Sequence, residues 1–533
     1  SQFRPVEWEV VKNFQLHSVT QSLPHSVLNS LRLAWLDELE SRFPALRSVS
    51  GLQMEQWESE LQASIERKQA LSREILLLHL REQTYQQVER NRLNNVVTYR
   101  DLKHQVTKKR LIWPVRKLLS ALSDEVSQLV PCWLASPESV SALFPLQAVP
   151  DPSDRSERDV FDLVIFDEAS QCFAEQGIPA LARGRQVVIA GDRQQLQPSD
   201  VYRVRFEEET DDNPDLEVDS LLDLAARYLP QTVLRGHYRS RSLDLIQFSN
   251  RHFYGDALRL LPDFAEINRR EPAIRYRRVE GQWKDQQNEV EAQAVLNLLT
   301  ELAQTEPELS VGVVTFNYRQ QNLIQDLLED RTPNPAADRH EPLFIKNIEN
   351  VQGDERDVII FSVGYAPDAR GRVSAQFGSL NAKGGKNRLN VAVTRARQRV
   401  YVVCSLWPEQ LNVEETLHEG PKLLKAYLRF ALDVSGGRFK PTPTEIATLR
   451  GRPLLKEKLR AEQPELREEL PFADLTEKAG DTYQTLILTD DEAYFASLSP
   501  KEPHAYLPLT LRAKGWPFRR AWSREWWRRE FRV

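Results

Sequence analysis

The sequence has little of what marks secreted, membrane-spanning or strongly basic proteins. Its 533 residues include only three cysteines, Cys132, Cys172 and Cys404, which lie far apart. This spacing argues against a disulfide framework or a metal site and predicts buried thiols in a reducing compartment, hence a cytoplasmic protein. No apolar run reaches membrane-spanning length, and no signal-peptide pattern is present, so no membrane partner is expected. The net charge of −6 gives no overall basic signature, although a local basic groove is compatible with it.

One apolar run ends in two acidic residues and gives the strongest chemical signal in the chain. The run is Leu163–Phe166, and Asp167 and Glu168 follow it directly. In nucleotide hydrolases, a carboxylate at a strand end holds Mg²⁺ and its neighbour activates the attacking water. This pair therefore indicates an ATP-driven enzyme.

A second apolar run carries a second acidic motif. Val187–Ala190 leads into Gly191 and Asp192, and Gln195 follows three residues later. The loop that would cradle the phosphates is missing, because no G-x-x-x-x-G-K-[ST] pattern occurs anywhere in the sequence. A nucleotide site with its acidic residues but without its phosphate loop needs an explanation.

From residue 130 onward, short apolar runs alternate with helical stretches. Such alternation predicts an α/β fold with parallel sheets, helices on both faces and ligands at the carboxyl ends of the strands. Ser136, Asp167, Asp192 and Thr315 all lie at the ends of such runs. The predicted strands are Val130–Ala135, Leu163–Phe166, Val187–Ala190, Thr232–Leu234, Val311–Thr315, Val358–Val363 and Val400–Cys404.

Residues 1 to about 128 are predicted to be helical. Gln53–Asn94 contains no Pro or Gly and is rich in helix formers, which is typical of a long helix or a helical hairpin projecting from a core. The basic run Lys103–Lys117 fits either a nucleic-acid channel or, more commonly, a solvated face. Glu207–Asp219 is predicted to be an acidic surface loop.

Three further segments carry groups suited to a phosphate or a ribose. Arg239 and Arg395 are permanently charged forks that can neutralise charge on a transferring γ-phosphate. Gln352 and Gly353 let the backbone approach a ligand closely, and Glu355 can accept a hydrogen bond from a ribose hydroxyl. The segments read LRGHYRS (234–240), IKNIENVQGDE (345–355) and NRLNVAVTRAR (387–397).

In this order, DEASQ, GDRQQLQP, HYRS, NVQGDERDVIIFS and RLNVAVTRAR resemble five motifs of superfamily 1 helicases. Class B, the group of RNA-surveillance and Okazaki-fragment helicases, is the most similar, and the resemblance covers Pro131–Ser405. The sequence of Phe377–Ala396 looks like the corresponding segment of large bacterial helicases with a C-terminal endonuclease-like domain. The resemblance implies two RecA-like domains with ATP and Mg²⁺ between them. It also implies 5′→3′ movement on a single-stranded nucleic acid, with DNA favoured over RNA.

The resemblance also implies roles for single residues. Asp167 would bind Mg²⁺, Glu168 would polarise water, and Gln195 would sense the γ-phosphate. Arg239 and Arg395 would be arginine fingers. The implied nucleotide contacts are Asp192, Gln352, Gly353 and Glu355, and the implied nucleic-acid contacts are Ser136, Thr315 and Asn347. The chain departs from the motifs at Asn347, commonly Thr, and at His237, commonly Gln, which affects the tuning of binding.

In this family the phosphate loop precedes the helical region. The resemblance therefore implies the C-terminal part of a longer protein, with an upstream polypeptide supplying the loop, and the alternative is a true loss that leaves a pseudo-ATPase. The expected parts are a helical stalk (1–128), the first RecA-like domain without its phosphate-loop strand (129–235), the second RecA-like domain (236–435) and a tail (436–533). The competing function is a non-catalytic nucleic-acid-binding or scaffold protein of helicase ancestry.

The tail carries a second resemblance. Leu511–Trp527 is similar to the last helix and strand of very-short-patch-repair-like endonuclease domains. Such domains bind a metal through carboxylates on adjacent strands. Asp474 matches the first carboxylate, Leu488 occupies the position of the second, and Asp490 lies nearby. The sequence therefore predicts a degenerate endonuclease-like fold, kept for packing or DNA contact.

Overall fold

The computed structural model describes most of the chain. The described residues are 4–5, 7–9, 12, 23–44, 51–86, 88–90, 92–94, 96–144, 160–198, 219–269, 271–331, 341–373, 376–414, 416–439, 454–470 and 472–526. They form two compact units. One comprises Ser1–Ala70, Arg259–Arg270 and Lys440–Val533, and the other comprises Leu71–Leu258 and Glu271–Phe439.

Helices and strands alternate through most of the described residues. The strands are β1 (Phe161–Phe166), β2 (Gly184–Ile189), β3 (Gly236–His237), β4 (Arg259–Leu260), β5 (Ile274–Arg278), β6 (Val311–Thr315), β7 (Phe344–Asn347), β8 (Arg356–Ser362), β9 (Ala396–Cys404), β10 (Leu475–Ala479), β11 (Thr482–Thr489) and β12 (Phe518–Ala521). The helices are α1 (Leu23–Arg42), α2 (Gly51–Gln86), α3 (Arg100–Thr107), α4 (Val115–Ala121), α5 (Ser123–Leu129), α6 (Pro137–Leu143), α7 (Ala174–Leu181), α8 (Leu221–Tyr228), α9 (Asp244–Phe253), α10 (Phe264–Ile267), α11 (Glu289–Thr305), α12 (Tyr318–Glu329), α13 (Gly385–Val393), α14 (Glu419–Ser435), α15 (Leu454–Glu462), α16 (Glu492–Phe495) and α17 (Leu507–Ala513). Among the described helices, none combines the length and apolar content needed to cross a bilayer.

The larger unit contains a five-stranded parallel sheet with the order β5-β9-β8-β6-β7. Every residue of β6 is buried, and so are most residues of β8 and β9. Both faces of a parallel sheet are normally covered, which explains why each of these strands contains a continuous apolar stretch rather than an alternating pattern. The mixed α/β prediction is thereby confirmed. The carboxyl ends of β6 and β7 align, since Thr315 pairs with Asn347 in register.

A second parallel sheet in this unit is less complete. In the described residues, β1 pairs with β2, and Ile165 lies opposite Val188. The apolar side chains on one face stay open to solvent, with Leu163 46%, Ile165 62% and Val188 49% exposed, whereas Phe166 on the other face is buried. This exposure is unusual for a parallel sheet, whose faces are normally covered.

Two predicted strands do not form. Val130–Ala135 follows helix α5 without strand pairing, and its Leu134 is 98% exposed. Thr232–Leu234 also has no strand structure, and its Val233 is 72% exposed. An apolar run becomes a strand only when a neighbouring strand accepts its backbone hydrogen bonds, and neither run has such a neighbour among the described residues.

The prediction of three buried thiols is correct only in part. Cys404 at the end of β9 is buried, whereas Cys172 is partly exposed and Cys132 is exposed. Cys132 lies in the run that was expected to be a buried strand, so its exposure follows from the missing strand. Helix α2 confirms a long helix but ends at Gln86 rather than at Asn94. The predicted acidic loop lies outside the described residues except for Asp219.

The smaller unit contains a three-stranded sheet in which β10 is antiparallel and β12 parallel to the central β11. Its helix α2 contributes the buried Glu58, whose carboxylate accepts hydrogen bonds from Arg520 on β12 and pairs with His504 at 2.7 Å. A buried ion needs such partners, because desolvation is costly when the charge is left alone. The first part of α2 is therefore tied to the sheet of the tail.

A buried carboxyl group anchors helix α11 to the five-stranded sheet. Glu291 of α11 accepts hydrogen bonds from the backbone N–H of Gly364 at 2.6 Å and from the Ser362 hydroxyl at 2.9 Å. Burial raises the pKa of Glu291 to about 8, and the hydrogen bonds from Gly364 and Ser362 offset part of that rise. The folded protein therefore favours the protonated form near neutral pH.

This shift predicts a pH-dependent stability. Since the folded-state pKa lies above the ordinary value of 4.5, the contribution of Glu291 is complete below pH 4.5 and is lost as the pH rises to about 8. Glu291→Gln keeps the shape of the neutral carboxyl group. The melting temperature of the variant minus that of the parent should therefore rise by roughly 5 °C from pH 5 to pH 8. Scanning calorimetry measures this difference. Glu301→Gln is the control, because the pKa of Glu301 is lowered by its hydrogen bond with Arg277. A pH-independent difference for Glu291→Gln would contradict the assignment.

Candidate nucleotide and nucleic-acid site

The turn after β1 presents Asp167 and Glu168. Asp167 Oδ1 accepts a hydrogen bond from the Glu168 N–H at 3.0 Å, and both residues are exposed. Glu168 has a φ of 54°, in the left-handed region that is strained for residues other than glycine. The next residue, Ala169, returns to the sheet by donating its N–H to the Ala190 carbonyl at 2.9 Å. The sharp turn thus projects two carboxylates from the carboxyl end of the strand.

The loop after β2 is organised by Asp192. Its Oδ1 accepts from the Gln194 N–H at 2.9 Å, and its Oδ2 accepts from Gln195 Nε2 at 3.0 Å. Asp192 therefore orients the side chain of Gln195, the residue predicted to sense the γ-phosphate. The role predicted for Asp192 itself, a direct nucleotide contact, stays a prediction.

Gln352 connects these two loops. Its Nε2 donates to Glu168 Oε2 at 2.9 Å, and its Oε1 accepts from the Leu196 N–H at 3.4 Å. Gly353, next in the chain, has a φ of 86°, and no atom lies within 4 Å of the position a Cβ would take. The turn thus requires the conformational freedom of glycine, and the space beside it is open to a ligand.

Arg239 and Glu355 form an ion pair instead of standing free. Arg239 Nε lies 2.5 Å from Glu355 Oε2, and Arg397 Nε donates to the other carboxylate oxygen at 3.1 Å. Burial raises the pKa of Glu355, but the hydrogen bonds and charges of the two arginines outweigh it and lower the pKa overall. Both predicted functions, a finger for Arg239 and a ribose acceptor for Glu355, therefore require this pair to rearrange when a nucleotide binds.

Arg395 lies in the interior, with only 3% of its surface exposed. Its guanidinium donates to the Val391 carbonyl at 2.8 Å and to the Thr394 hydroxyl at 3.2 Å. Burial, aided by the charge of Arg239, lowers the pKa of Arg395 to about 10, and the charge of Glu168 acts in the opposite direction. Arg395 therefore stays protonated at neutral pH and acts electrostatically on the carboxylate turn after β1.

The residues predicted to contact nucleic acid all form hydrogen bonds with other groups of the protein. Ser136 caps helix α6, where its Oγ accepts a backbone N–H at 3.3 Å. The Thr315 hydroxyl donates to the Asn317 carbonyl at 2.9 Å, and Asn347 Oδ1 accepts from the Glu349 N–H at 3.0 Å. Thr315 is fully buried, whereas Ser136 is exposed. Contacts of these residues with nucleic acid stay predictions.

Two lysines of the basic run Lys103–Lys117 lie near an aromatic ring. Lys117 Nζ lies 4.6 Å and Lys108 Nζ 5.9 Å from the centroid of Trp113, which is the range of cation–π attraction. The neighbouring Lys109 and Arg110 are exposed. This arrangement fits a nucleic-acid surface and a solvated face equally well.

Sequence reasoning missed three residues that hold the site together. Tyr254 donates to Asp192 Oδ2 at 2.6 Å, and Asn387 and Asn390 of α13 donate to backbone carbonyls of residues 193–195. The spacing of the two asparagines could have indicated a shared partner, since residues three apart lie on one face of a helix. Tyr254 offered none, because its partner is 62 residues away in the chain.

The residues present fit part of a Mg²⁺–nucleotide site. Mg²⁺ commonly takes one or two protein carboxylates and completes its shell with phosphates and water. Asp167, exposed at a strand end, suits that role. In the part of the chain that the structure describes, no group of three or more His, Cys, Asp or Glu side chains is placed to hold a metal. The nucleotide itself would therefore have to supply most of the remaining ligands.

The carboxylates of the tail are engaged with backbone groups. Asp474 Oδ2 accepts from the Thr489 N–H at 2.7 Å, and Asp490 Oδ1 accepts from the Ser523 N–H at 2.9 Å. Leu488 is buried in β11, and burial raises the pKa of Asp474. These contacts give the two aspartates structural partners, and the endonuclease-like ancestry of the tail stays a prediction.

Comparison with known proteins identifies similar domains and similar proteins. Residues 152–199 and 218–406 match two family profiles that are both described as AAA domain. The chain is 31% identical over 476 residues to an uncharacterized ATP-dependent helicase of Mycoplasma pneumoniae, covering 83% of this chain and 40% of the relative. It is 36% identical over 341 residues to an uncharacterized ATP-dependent helicase of Mycoplasma genitalium, covering 60% and 29%.

These matches support a helicase superfamily for the chain, and the chain spans less than half the length of both relatives. Among solved structures, the PRRSV helicase matches with a TM-score of 0.22 and 17% identity, over 45% of this chain and 34% of that one. A score this low carries no structural argument.

Proposed function

We propose that the chain supplies most of the catalytic centre of a superfamily 1 class B helicase. In this proposal, ATP hydrolysis drives 5′→3′ movement on a single-stranded nucleic acid in the cytoplasm, with DNA favoured over RNA. Asp167 holds Mg²⁺, Glu168 activates water, and Arg239 and Arg395 stabilise charge on the transferring phosphate. When bound, Mg²⁺ neutralises phosphate charge and orients the leaving group.

The observation that carries the proposal is the hydrogen bond from Gln352 to Glu168. It joins the carboxylate turn after β1 to the turn before β8, 184 residues further along the chain. The proposal combines a water-activating carboxylate, a phosphate-sensing glutamine and a charged guanidinium. Phosphoryl transfer requires this combination, because its catalysis consists mostly of positioning and charge stabilisation.

The open apolar face of the β1–β2 pair supports a further part of the proposal. Leu163, Ile165 and Val188 form a surface that a parallel sheet normally covers. We infer that a polypeptide carrying the phosphate loop packs there and adds its strand beside the pair. This arrangement accounts for a sequence that has every other motif but no phosphate loop.

The proposal also assigns the parts of the chain. Residues 129–235 and 236–435 belong to two RecA-like domains, residues 1–128 to a helical stalk, and residues 436–533 to a degenerate endonuclease-like domain. Ser136, Thr315 and Asn347 contact the nucleic-acid backbone after the local hydrogen bonds open. Such contacts give affinity but little sequence specificity.

A reconstitution assay tests the function. The chain alone should hydrolyse ATP far more slowly than about 1 s⁻¹, since the phosphates lack a backbone cradle and a lysine. Joined to a segment that carries the phosphate loop, it should reach about 1–100 s⁻¹ with single-stranded DNA present. The matched control is the same segment with its loop lysine replaced by alanine. DNA binding without hydrolysis in the restored protein would instead favour the scaffold function.

A further inference from the structure

Tyr254 sits between two motifs of the site and belongs to neither. It directly follows helix α9. Its hydroxyl donates to Asp192 Oδ2 at 2.6 Å and accepts from Asn390 Nδ2 at 3.1 Å. The polarity is fixed by the partners, because a carboxylate can only accept and an amide nitrogen can only donate. The phenol thus connects the loop after β2 to helix α13.

Side chains of helix α13 hold the same loop by binding the backbone carbonyls of the loop. Asn387 Nδ2 donates to the carbonyls of Arg193 at 2.9 Å and Gln195 at 2.7 Å, and Asn390 Nδ2 donates to the Gln194 carbonyl at 2.8 Å. Three consecutive carbonyls are therefore bound by two side chains of one helix. Because the helix also leads into Arg395, the position of the loop is linked to that of the arginine.

The environment keeps the Tyr254 phenol in its donor form. Burial raises its pKa well above the usual range, and the negative charge of Asp192 raises it further. The proton therefore stays on the phenol at every working pH, so the hydrogen bond to Asp192 persists. A hydrogen bond to a charged acceptor of this kind is among the stronger ones in proteins.

We propose that Tyr254 is a positioning residue for the hydrolytic reaction, coupling the Gln195 loop to the helix that leads to Arg395. The proposal rests on the function proposed above. Asp192 receives one hydrogen bond from Tyr254 and one from Gln195 on the same oxygen, so the phenol fixes the carboxylate that orients the glutamine. Without the phenol, Asp192 loses its link to Asn390 through Tyr254, so the Gln195 side chain that Asp192 orients is held less firmly relative to α13.

The first test uses the chain as it is. Hydrogen exchange followed by mass spectrometry should show faster exchange at residues 193–196 in Tyr254→Phe, by roughly tenfold or more, because one anchor of Asp192 is lost. Tyr276→Phe is the matched control. Its phenol is also buried and hydrogen-bonded, but its partner is the Leu406 carbonyl. Unchanged exchange at 193–196 in Tyr254→Phe, with both variants folded, would overturn the coupling.

The second test uses the protein joined to a phosphate-loop segment. Tyr254→Phe should lower kcat by about tenfold while KM for ATP changes less than twofold, since positioning acts on the transition state rather than on nucleotide binding. Tyr276→Phe should leave both constants unchanged. A normal kcat in Tyr254→Phe would overturn the positioning role and leave the proposed function intact. An inactive parent protein would instead overturn the proposed function, and the exchange experiment would still decide whether Tyr254 holds the loop.

Discussion

Glu168→Gln is expected to abolish ATP hydrolysis in the protein joined to a phosphate-loop segment, while nucleotide binding persists. The amide has nearly the shape of the carboxylate but cannot take a proton from the attacking water. The hydrogen bond with Gln352 Nε2 can survive, since the side-chain oxygen of the new residue still accepts. Steady-state hydrolysis and equilibrium binding of a fluorescent ATP analogue measure the two properties separately.

A matched glutamate is available nearby. Glu175 is exposed on α7, and Glu175→Gln should leave turnover within about twofold of the parent, as expected of a surface change outside the site. Near-normal turnover in Glu168→Gln would show that another group activates the water. Loss of both nucleotide binding and turnover would show that Glu168 has a structural role. The strained backbone at Glu168 makes this control necessary.

Arg395→Ala should lower turnover by ~10³-fold or more, the range observed when an arginine finger is removed. The guanidinium stays charged and interacts electrostatically with Glu168, so under the proposed function its loss removes positive charge that would act on the transferring phosphate. Because Arg395 is buried, truncation can also loosen α13 through its hydrogen bonds with Val391 and Thr394. Arg395→Lys keeps the charge and much of the volume, and it should recover only part of the rate, since a point charge cannot form the same fork.

Arg399 supplies the control for a buried arginine on the same segment. It pairs with Glu306 at 2.7 Å rather than with the site, so Arg399→Lys should preserve turnover. Thermal melts of all three variants identify any that fail to fold. Turnover in a folded Arg395→Ala protein within tenfold of the parent would remove Arg395 from the reaction.

The sequence predicted strands well where local pattern and packing agree. β6, β8 and β9 each contain an apolar run, and the sequence predicted a strand at each run, because strand residues buried on both faces have this composition whatever their partners. Val130–Ala135 has a similar composition but forms no strand, since composition does not reveal whether a neighbour exists to pair with. β5 was missed for the opposite reason. Its sequence IRYRR looks like a polar segment, yet it pairs with β9 throughout.

The candidate site was predicted as a set of positions rather than as a set of contacts. The motifs named Glu168, Gln352 and Glu355, and the structure brings Glu168 and Gln352 within hydrogen-bond distance. They did not predict that Arg239 would be held by Glu355, because motif spacing says nothing about which charges neutralise each other before a ligand arrives. Nor did they indicate Tyr254, whose role depends on a contact between distant parts of the chain.

The short sheet of β1 and β2 has a consequence for handling the protein. In the part of the chain that the structure describes, each of these strands has one side without a strand partner, so a row of backbone N–H and C=O groups is left unpaired next to apolar side chains. Such an edge is a template for strand addition between molecules. Concentrated samples should therefore tend to self-associate through this edge. A polypeptide that covers this edge would prevent self-association as well as supply catalytic groups.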